Sequence, residues 1–273
     1  MELITFDLDG TLLNSQSEIS DYTRETLLAL ADKGIAYTVA TGRTLHSAKA
    51  VLEGSGFSLP QIFKNGVMIW NPQTSEYLLE NYLTLGEIEH VLTAVLAQNV
   101  TPFIFTLEPG NRHGIYHTPL LNKVEERLAK DFASRGEAEV QPTSQMPADA
   151  QVTNISVLGV PESIRAVEAM ILDEPHLVAY AGDALESMNL RWVDIHHTDA
   201  SKGGAVLLLK QQLGASRVLC FGDSDNDLSM FAVADECYAP SNAKDHVKQA
   251  ATAVIGHHDD DGIARFLRER FNL

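Results

Sequence analysis

The chain has 273 residues, of which 45% are hydrophobic and 21% charged, a composition typical of a folded globular protein. Its 20 basic and 37 acidic residues give a formal net charge of −17, which argues against nucleic acid or an anionic membrane as the main partner. Two cysteines do not make a disulfide framework, and we find neither a signal-peptide pattern nor an apolar run of membrane-spanning length. We therefore expect a cytoplasmic protein.

Strand-like and helix-like segments alternate over the first part of the chain. The apolar patterns predict strands over 3–6, 35–40 and 61–64, with helices over about 20–33 and 44–53 between them. Residues 67–70 and 77–79 would form a hairpin across a turn at 71–73. Strands that alternate with helices indicate α/β structure, here a Rossmann-like parallel sheet flanked by helices.

The middle of the chain has a different pattern and predicts an inserted α+β domain over 81–190. Thr84 and Glu87 form a capping-box pattern before a helix to about 98, and a further helix is predicted over 120–133. Segments 177–181 and 186–190 are predicted to form a closing hairpin. Alternation resumes at a strand over 192–196, so we expect 1–80 and 191–273 to form one α/β domain.

Asp7 and Asp9 follow the first predicted strand, and Gly10 allows a sharp turn after them. In open α/β sheets, ligands bind at the carboxyl ends of the strands. Two carboxylates ~4 Å apart repel each other by roughly 4 kcal/mol at an effective dielectric of about 20. The pair therefore indicates a bound cation, a shared proton or a catalytic role, and a simple acidic turn is the alternative.

Three further strand ends or helix starts carry unusual polar residues. Thr41 follows the second strand and supplies a hydroxyl, while Lys202 stands at a predicted helix start, where the helix dipole adds positive potential. Asp223 and Asp227 follow the strand over 217–221. Carboxylates with a lysine, a hydroxyl and glycine turns suit a hard divalent cation and a phosphoryl group. The alternatives are a solvated lysine at 202, turn or cap residues at 223 and 225, and a helix-start dipole role for Asp227.

These segments resemble the four motifs of the haloacid dehalogenase superfamily. Asp-Leu-Asp-Gly-Thr, Thr-Gly-Arg, Lys-Gly and Gly-Asp-Ser-Asp-Asn-Asp occur in the family order. The spacing is similar to that of the Cof-type phosphatases, which carry a large α/β cap between the second and third motifs. The resemblance spans the chain and includes Asn65-Gly66 and Ser241-Asn242-Ala243. It implies a phosphatase that uses Mg2+ to hydrolyse small phosphorylated metabolites, with 81–190 as the cap that sets specificity.

The resemblance also implies a role for each motif residue. Asp7 would be the nucleophile that forms an aspartyl-phosphate, and Asp9 the general acid and then the general base. Thr41 and Lys202 would hold the phosphoryl oxygens. The implied Mg2+ ligands are Asp7, Asp9 (through its backbone carbonyl), Asp223 and Asp227, and the implied substrate-binding residues are Gly42, Arg43, Asn65 and Asn226. For Arg43, a structural ion pair is the alternative.

Two other functions stay open from the sequence: a phosphomutase of the same superfamily and a non-catalytic module that binds a phosphorylated metabolite. The physiological substrate and the oligomeric state are also left open. His196 and His197 are adjacent at a strand end and point to opposite faces, so a shared metal site is not expected. His257 and His258 precede three aspartates and a terminal helix, a pattern that we interpret as a capped loop.

Overall fold

The structure is a computed structural model that describes residues 1–78, 82–110, 112–134, 138–184 and 189–273. It divides into two compact units. The first unit comprises Met1–Leu79 and Ala200–Leu273, and the second unit comprises Glu80–Asp199. The chain therefore leaves the first unit once and returns to it.

Strands and helices are numbered in chain order. The strands are β1 Glu2–Phe6, β2 Ala36–Val39, β3 Gln61–Phe63, β4 Met68–Asn71, β5 Glu76–Tyr77, β6 Phe103–Glu108, β7 Arg112–His117, β8 Glu139–Pro142, β9 Gln151–Gly159, β10 Leu177–Asp183, β11 Arg191–His197, β12 Arg217–Phe221, β13 Glu236–Pro240 and β14 Ala253–Ile255. The helices are α1 Asp21–Asp32, α2 Leu45–Leu52, α3 Leu85–Ala97, α4 Lys123–Ser134, α5 Pro161–Ile171, α6 Lys202–Gln212, α7 Leu228–Phe231, α8 Asp245–Ala250 and α9 Gly262–Phe271. Among the described residues, no helix combines the length and apolar character that a membrane span needs.

A five-stranded parallel sheet forms the centre of the first unit, in the order β14-β13-β12-β1-β2. Alternate residues of its strands belong to two apolar clusters. Ile4 and Phe6 pack with residues of α1 and α9, whereas Leu3 and Val218 pack with residues of α6 and α8. Both faces of the sheet are thus covered by helices, as a parallel sheet requires. The predicted α/β fold with a helix-flanked parallel sheet is confirmed.

Strand β3 lies outside this parallel sheet. It pairs antiparallel with β4, which in turn pairs with β5, so the hairpin predicted after residue 66 is present. An isolated bridge between Ala40 and Ile62 joins β3 to the chain after β2. The alternation of strands and helices does not predict this arrangement. It arises because β3 pairs antiparallel with β4, the next strand in the chain.

The second unit contains a six-stranded sheet in the order β10-β11-β9-β6-β7-β8. Each neighbouring pair is antiparallel except β7 and β8. Ile104 and Ile155 pack with α3 and α5, while Phe103 packs with α4 in a separate cluster. The predicted capping box is present, since Thr84 and Glu87 bond to each other's backbone N–H groups at the start of α3.

The boundary predicted at residue 190 is wrong, because β11 belongs to the second unit. It pairs antiparallel with both β10 and β9, and the second unit ends at Asp199. The predicted partner of 177–181 was 186–190, but β10 pairs with Arg191–His197 instead, and 185–188 lie outside the described residues. A short apolar run predicts a strand without saying which sheet it joins.

One carboxylate is almost fully buried in the second unit. Glu125, in the first turn of α4, is 1% exposed and accepts hydrogen bonds from the Thr101 backbone N–H at 3.2 Å, the Thr101 hydroxyl at 2.7 Å and the Leu121 backbone N–H at 2.6 Å. It therefore ties the segment before β6 and the segment before α4 to one helix.

We expect Glu125→Ala to lower the free energy of unfolding by about 1–3 kcal/mol, because it leaves buried donors without an acceptor. Glu126→Ala, on the exposed side of the same helix turn, serves as the control and should change the free energy by less than about 0.5 kcal/mol. Urea unfolding of both variants is the measurement. Equal losses in the two variants would contradict a structural role for Glu125.

Candidate active site

The site lies at the carboxyl edge of the parallel sheet in the first unit. Asp7 directly follows β1, and Asp223 follows its neighbour β12 after one residue. On the other side of β1, the Ala40 N–H donates to the Phe6 carbonyl at 2.8 Å, which brings Thr41 next to Asp7 along the same edge. The topology thus collects the ends of β2, β1 and β12, as expected for the ligand edge of an open α/β sheet.

Lys202 is fully buried at the centre of the site. It is the first residue of α6, whose N-cap Ser201 accepts from the Gly204 N–H. Its Nζ lies 2.6 Å from Oδ1 of Asp7 and 2.6 Å from Oδ1 of Asp227. A buried ammonium needs such partners, because removing the charge from water costs on the order of several kcal/mol if nothing offsets it.

Asp227 is held from both sides. While its Oδ1 pairs with Lys202, its Oδ2 accepts from the backbone N–H groups of Asp223 and Ser224, each at 2.9 Å. This capping-box arrangement fixes the turn that carries Asp223. The alternative of a solvated lysine at 202 is therefore not what the structure shows, and Asp227 pairs with Lys202 besides its place at the start of a helical turn.

Three carboxylates meet at this point. One oxygen each of Asp7, Asp223 and Asp227 lies within 4.8 Å of the others. Gly10 makes room for them: its φ is +74°, and a Cβ there would lie 2.6 Å from Oδ2 of Asp223. An all-oxygen, anionic donor set of this kind suits a hard divalent cation.

The carboxylates outnumber the one ammonium among them. Burial raises the pKa of Asp7 to about 8, with Lys202 opposing and Asp227 and Asp223 adding repulsion. Burial and then Asp227 also raise the pKa of Asp223. Burial alone would lower the pKa of Lys202, but Asp227 and Asp7 outweigh it and raise that pKa. The electrostatics of the cluster therefore favour the binding of a second cation besides the Lys202 ammonium.

Asp9 and Arg43 face each other rather than the carboxylate cluster. Nε of Arg43 donates to Oδ2 of Asp9 at 2.8 Å, and a terminal nitrogen donates to Oδ1 at 2.5 Å. The Asp9 side chain is 56% exposed and that of Arg43 19% exposed. For Arg43, the structure shows the ion pair that the sequence left as an alternative to substrate binding. The Asp9 carboxylate is not one of the three clustered groups.

The remaining predicted residues line the loops beside the cluster. The Thr41 hydroxyl is buried and accepts from the Arg43 backbone N–H at 3.1 Å, which orients it. Asn65 is buried against Gly42, and its Oδ1 accepts from Nδ2 of Asn226 at 2.9 Å. These two asparagines therefore contact each other, although they lie far apart in the sequence.

Two contributors received no role from the sequence. The Thr11 hydroxyl donates to Oδ1 of Asp223 at 3.3 Å, and Nδ2 of Asn242 donates to the Gly10 carbonyl at 2.7 Å. Thr11 lies in the first motif, and Asn242 follows β13, the next strand along the same sheet edge. The strand-end rule that identified Asp223 applies equally to Asn242.

The histidine pairs lie in other surroundings. His196 is 1% exposed beside the Tyr180 ring, whereas the His197 ring stacks on His176. The two rings of this pair thus contact different partners. Asp225, for which the sequence allows a simple turn or cap role, pairs with Lys244 and His246.

His257, His258 and Asp259 can each offer an atom to one cation, but their contacts are those of a capped loop. A His257 ring nitrogen accepts from the Asp259 N–H at 3.2 Å, and Asp259 accepts from the N–H and hydroxyl of Ser15. A ring nitrogen of His258 lies 2.7 Å from the Leu13 carbonyl. The loop predicted as capped therefore also anchors the segment after the first motif.

The similarity to known proteins extends over nearly the whole chain. The family model of haloacid dehalogenase-like hydrolases matches residues 4–267. The chain is 28% identical to one Bacillus subtilis (strain 168) protein, over 98% of this chain and 97% of the relative. It is 26% identical to another from the same organism, over 99% and 98%. Both relatives are named as 5-amino-6-(5-phospho-D-ribitylamino)uracil phosphatases.

Solved structures share the fold. A phosphatase of the haloalkanoate enzyme superfamily from Bacteroides thetaiotaomicron superimposes with a TM-score of 0.79 at 18% identity, covering 100% of this chain and 96% of that one. A haloacid dehalogenase-like hydrolase from B. subtilis superimposes with a TM-score of 0.77 at 22% identity, covering 98% and 99%. At these identities the likeness is one of fold.

We expect Lys202→Met to lower the free energy of unfolding by about 3–5 kcal/mol at about pH 8, because a broken buried pair leaves uncompensated charge. At about pH 5 the loss should be smaller. The raised pKa of Asp7 lets that carboxyl take up a proton there, so the loss of Lys202 leaves less uncompensated charge buried at about pH 5 than at about pH 8. Urea unfolding at both pH values is the measurement.

Lys210→Met provides the matched control on the same helix, since Lys210 pairs with the partly exposed Asp235. It should change the free energy of unfolding by less than about 1 kcal/mol at either pH. A Lys202→Met variant that behaves like this control would contradict the central role of the buried ion pair.

Proposed function

The chain belongs to the haloacid dehalogenase-like hydrolase family, and from that premise we propose that it is a Mg2+-dependent phosphatase of small phosphorylated metabolites. The observation that carries the proposal is the buried Lys202 that joins Asp7 to Asp227 beside Asp223. Such a cluster combines a carboxylate nucleophile, a fixed positive charge and ligands for a hard cation. The names of the two B. subtilis relatives support a small phosphate monoester as substrate.

The residues present fit Mg2+. The donor set is all oxygen, and burial, followed by repulsion from the neighbouring carboxylates, raises the pKa of Asp7 and of Asp223. We assign Asp7, Asp223 and Asp227 to holding the ion, directly or through its waters, together with the backbone carbonyl of Asp9. When bound, Mg2+ would neutralise charge on the phosphoryl oxygens.

Asp7 is the proposed nucleophile. Lys202 holds its Oδ1, and we assign the attack on phosphorus to Oδ2. The bond from phosphorus to the leaving oxygen breaks as the bond to Asp7 forms, which gives an aspartyl-phosphate. Thr41 and Lys202 hold the phosphoryl oxygens, and the backbone N–H of Gly42 adds a donor. Water then attacks phosphorus, releases phosphate and restores the Asp7 carboxylate.

Asp9 is the proposed proton carrier. It gives a proton to the leaving oxygen and later takes one from the attacking water. In the structure both of its carboxylate oxygens accept from Arg43, so Asp9 must leave this pair to exchange a proton. An anionic group on the substrate is the natural partner for the guanidinium that Asp9 releases.

The second unit is the proposed specificity domain, since it is inserted between the second and third motifs in the sequence. The cytoplasm is the proposed compartment, and the proposed partner is the small phosphorylated substrate itself.

The test of the function is phosphate release from a panel of phosphorylated metabolites, with Mg2+ and with EDTA. We expect Mg2+-dependent release that falls about a thousandfold or more in Asp7→Asn, because an amide oxygen cannot replace the carboxylate nucleophile. Asp225→Asn, in the same loop as Asp223 but paired with the exposed Lys244 and His246, is the control and should keep activity. Unchanged release in Asp7→Asn would contradict the proposal, and sugar isomerisation without release would indicate a mutase.

We expect the rise in melting temperature caused by Mg2+ to grow between about pH 5 and about pH 8. The native pKa of Asp7 is raised from 3.8 to about 8, so in this window the metal-free native state binds a proton that the unfolded chain does not. The free energy of unfolding of the metal-free protein therefore falls as pH rises, and Mg2+ replaces the lost proton. Thermal melts with and without Mg2+ measure this rise in melting temperature. A rise that does not depend on pH, or one that persists in Asp223→Asn, would contradict the prediction.

A further inference from the structure

Three consecutive residues beside the site share a left-handed backbone. Lys64, Asn65 and Gly66 have φ values of +47°, +56° and +103°, and we name this segment the left-handed bend. Non-glycine residues rarely adopt such angles, and runs of them persist only where the surroundings hold them in place. The bend follows β3 and is not part of any of the four motifs that carry the chemistry.

The backbone of the bend holds the second motif. The Asn65 N–H donates to the Thr41 carbonyl at 2.9 Å, and the Lys64 N–H donates to the Arg43 carbonyl at 2.9 Å. A Cβ on Gly42 would lie 3.2 Å from Oδ1 of Asn65, so the asparagine side chain packs directly on this loop. The position of the Thr41 hydroxyl therefore depends on the bend.

The same bend lies against the third motif. A Cβ on Gly66 would lie 2.2 Å from the Ser201 carbonyl oxygen and 3.0 Å from the Lys202 nitrogen. Only glycine combines the φ of +103° with this close approach. The first turn of α6, from which Lys202 reaches Asp7, is thus packed on the bend.

The side chain of Asn65 reaches the fourth motif. Its Oδ1 accepts from Nδ2 of Asn226 at 2.9 Å, and Asn65 is only 8% exposed. The bend accordingly contacts the second, third and fourth motifs. These contacts are made by backbone groups and by the buried side-chain amide of Asn65.

We propose that Asn65 is a positioning residue of the phosphoryl site, which acts through Asn226 and Thr41 rather than by binding substrate itself. The inference rests on the proposed function for the identity of the site. The sequence resemblance implies that Asn65 contacts the substrate directly. The present inference gives Asn65 an indirect role instead. Asn65 keeps the Asn226 amide turned to a fixed direction, so that the group presented to a phosphoryl oxygen is oriented before substrate arrives.

The test is a double-mutant cycle of Asn65→Gly and Asn226→Ala. Glycine keeps the left-handed backbone and removes only the amide, so the variant should fold with an unchanged melting profile. In the wild-type background we expect Asn65→Gly to lower kcat/KM by about three- to tenfold, the effect of one neutral hydrogen bond. In the Asn226→Ala background the same change should cost less than about twofold, because the group that it positions is gone.

Asn99→Gly is the matched control, since Asn99 is an exposed asparagine with φ of +52° in the second unit. It should leave kcat and KM unchanged. An equal loss from Asn65→Gly in both backgrounds, or a loss confined to KM that Asn226→Ala does not alter, would overturn the inference in favour of a direct substrate contact.

The cycle is also read on the binding of inorganic phosphate by calorimetry, which does not need turnover. A protein that binds phosphate but hydrolyses no ester contradicts the proposed function and still lets the cycle decide the role of Asn65. Coupled losses of phosphate affinity in the two variants support the inference, and independent losses overturn it.

Discussion

The rest of the site depends on the buried contact of Lys202 with Asp7 and Asp227. Two carboxylates of different motifs can lie together without solvent only because one ammonium joins them, and that ammonium can be buried only because both carboxylates hold it. The contact also links three segments, the end of β1, the start of α6 and the turn after β12. Since the balance of charge stays negative, the same contact leaves the cluster suited to a cation.

The fold brings these segments together by topology rather than by local sequence. Parallel strands β2, β1 and β12 are neighbours, so the residues that follow them share one edge of the sheet. The next strand, β13, adds Asn242, which bonds to the Gly10 carbonyl in the turn after Asp7. The left-handed bend then packs on the loops and the helix start that this edge presents.

Much of this could be predicted from the sequence, because strand ends in α/β proteins carry functional residues. Asp7, Thr41 and Asp223 were identified in this way and Lys202 from a predicted helix start, and the structure brings Lys202 to the strand-end residue Asp7. The Asn65–Asn226 contact and the Arg43–Asp9 pair could not be predicted, since they join residues that no local pattern relates. The assignment of β11 failed for a similar reason: antiparallel pairing with β9 and β10 decides its sheet, and a short apolar run carries no information about its partners.

Trapping the covalent intermediate during turnover of p-nitrophenyl phosphate tests directly whether Asp7 is the nucleophile. Acid quenching, reduction of the acyl phosphate with borohydride and peptide mass spectrometry would show which carboxylate had carried the phosphoryl group. We expect reduction at Asp7 and not at Asp9, Asp223 or Asp227. Hydrolysis that proceeds with Asp7 unmodified, or with the label on another carboxylate, would contradict it.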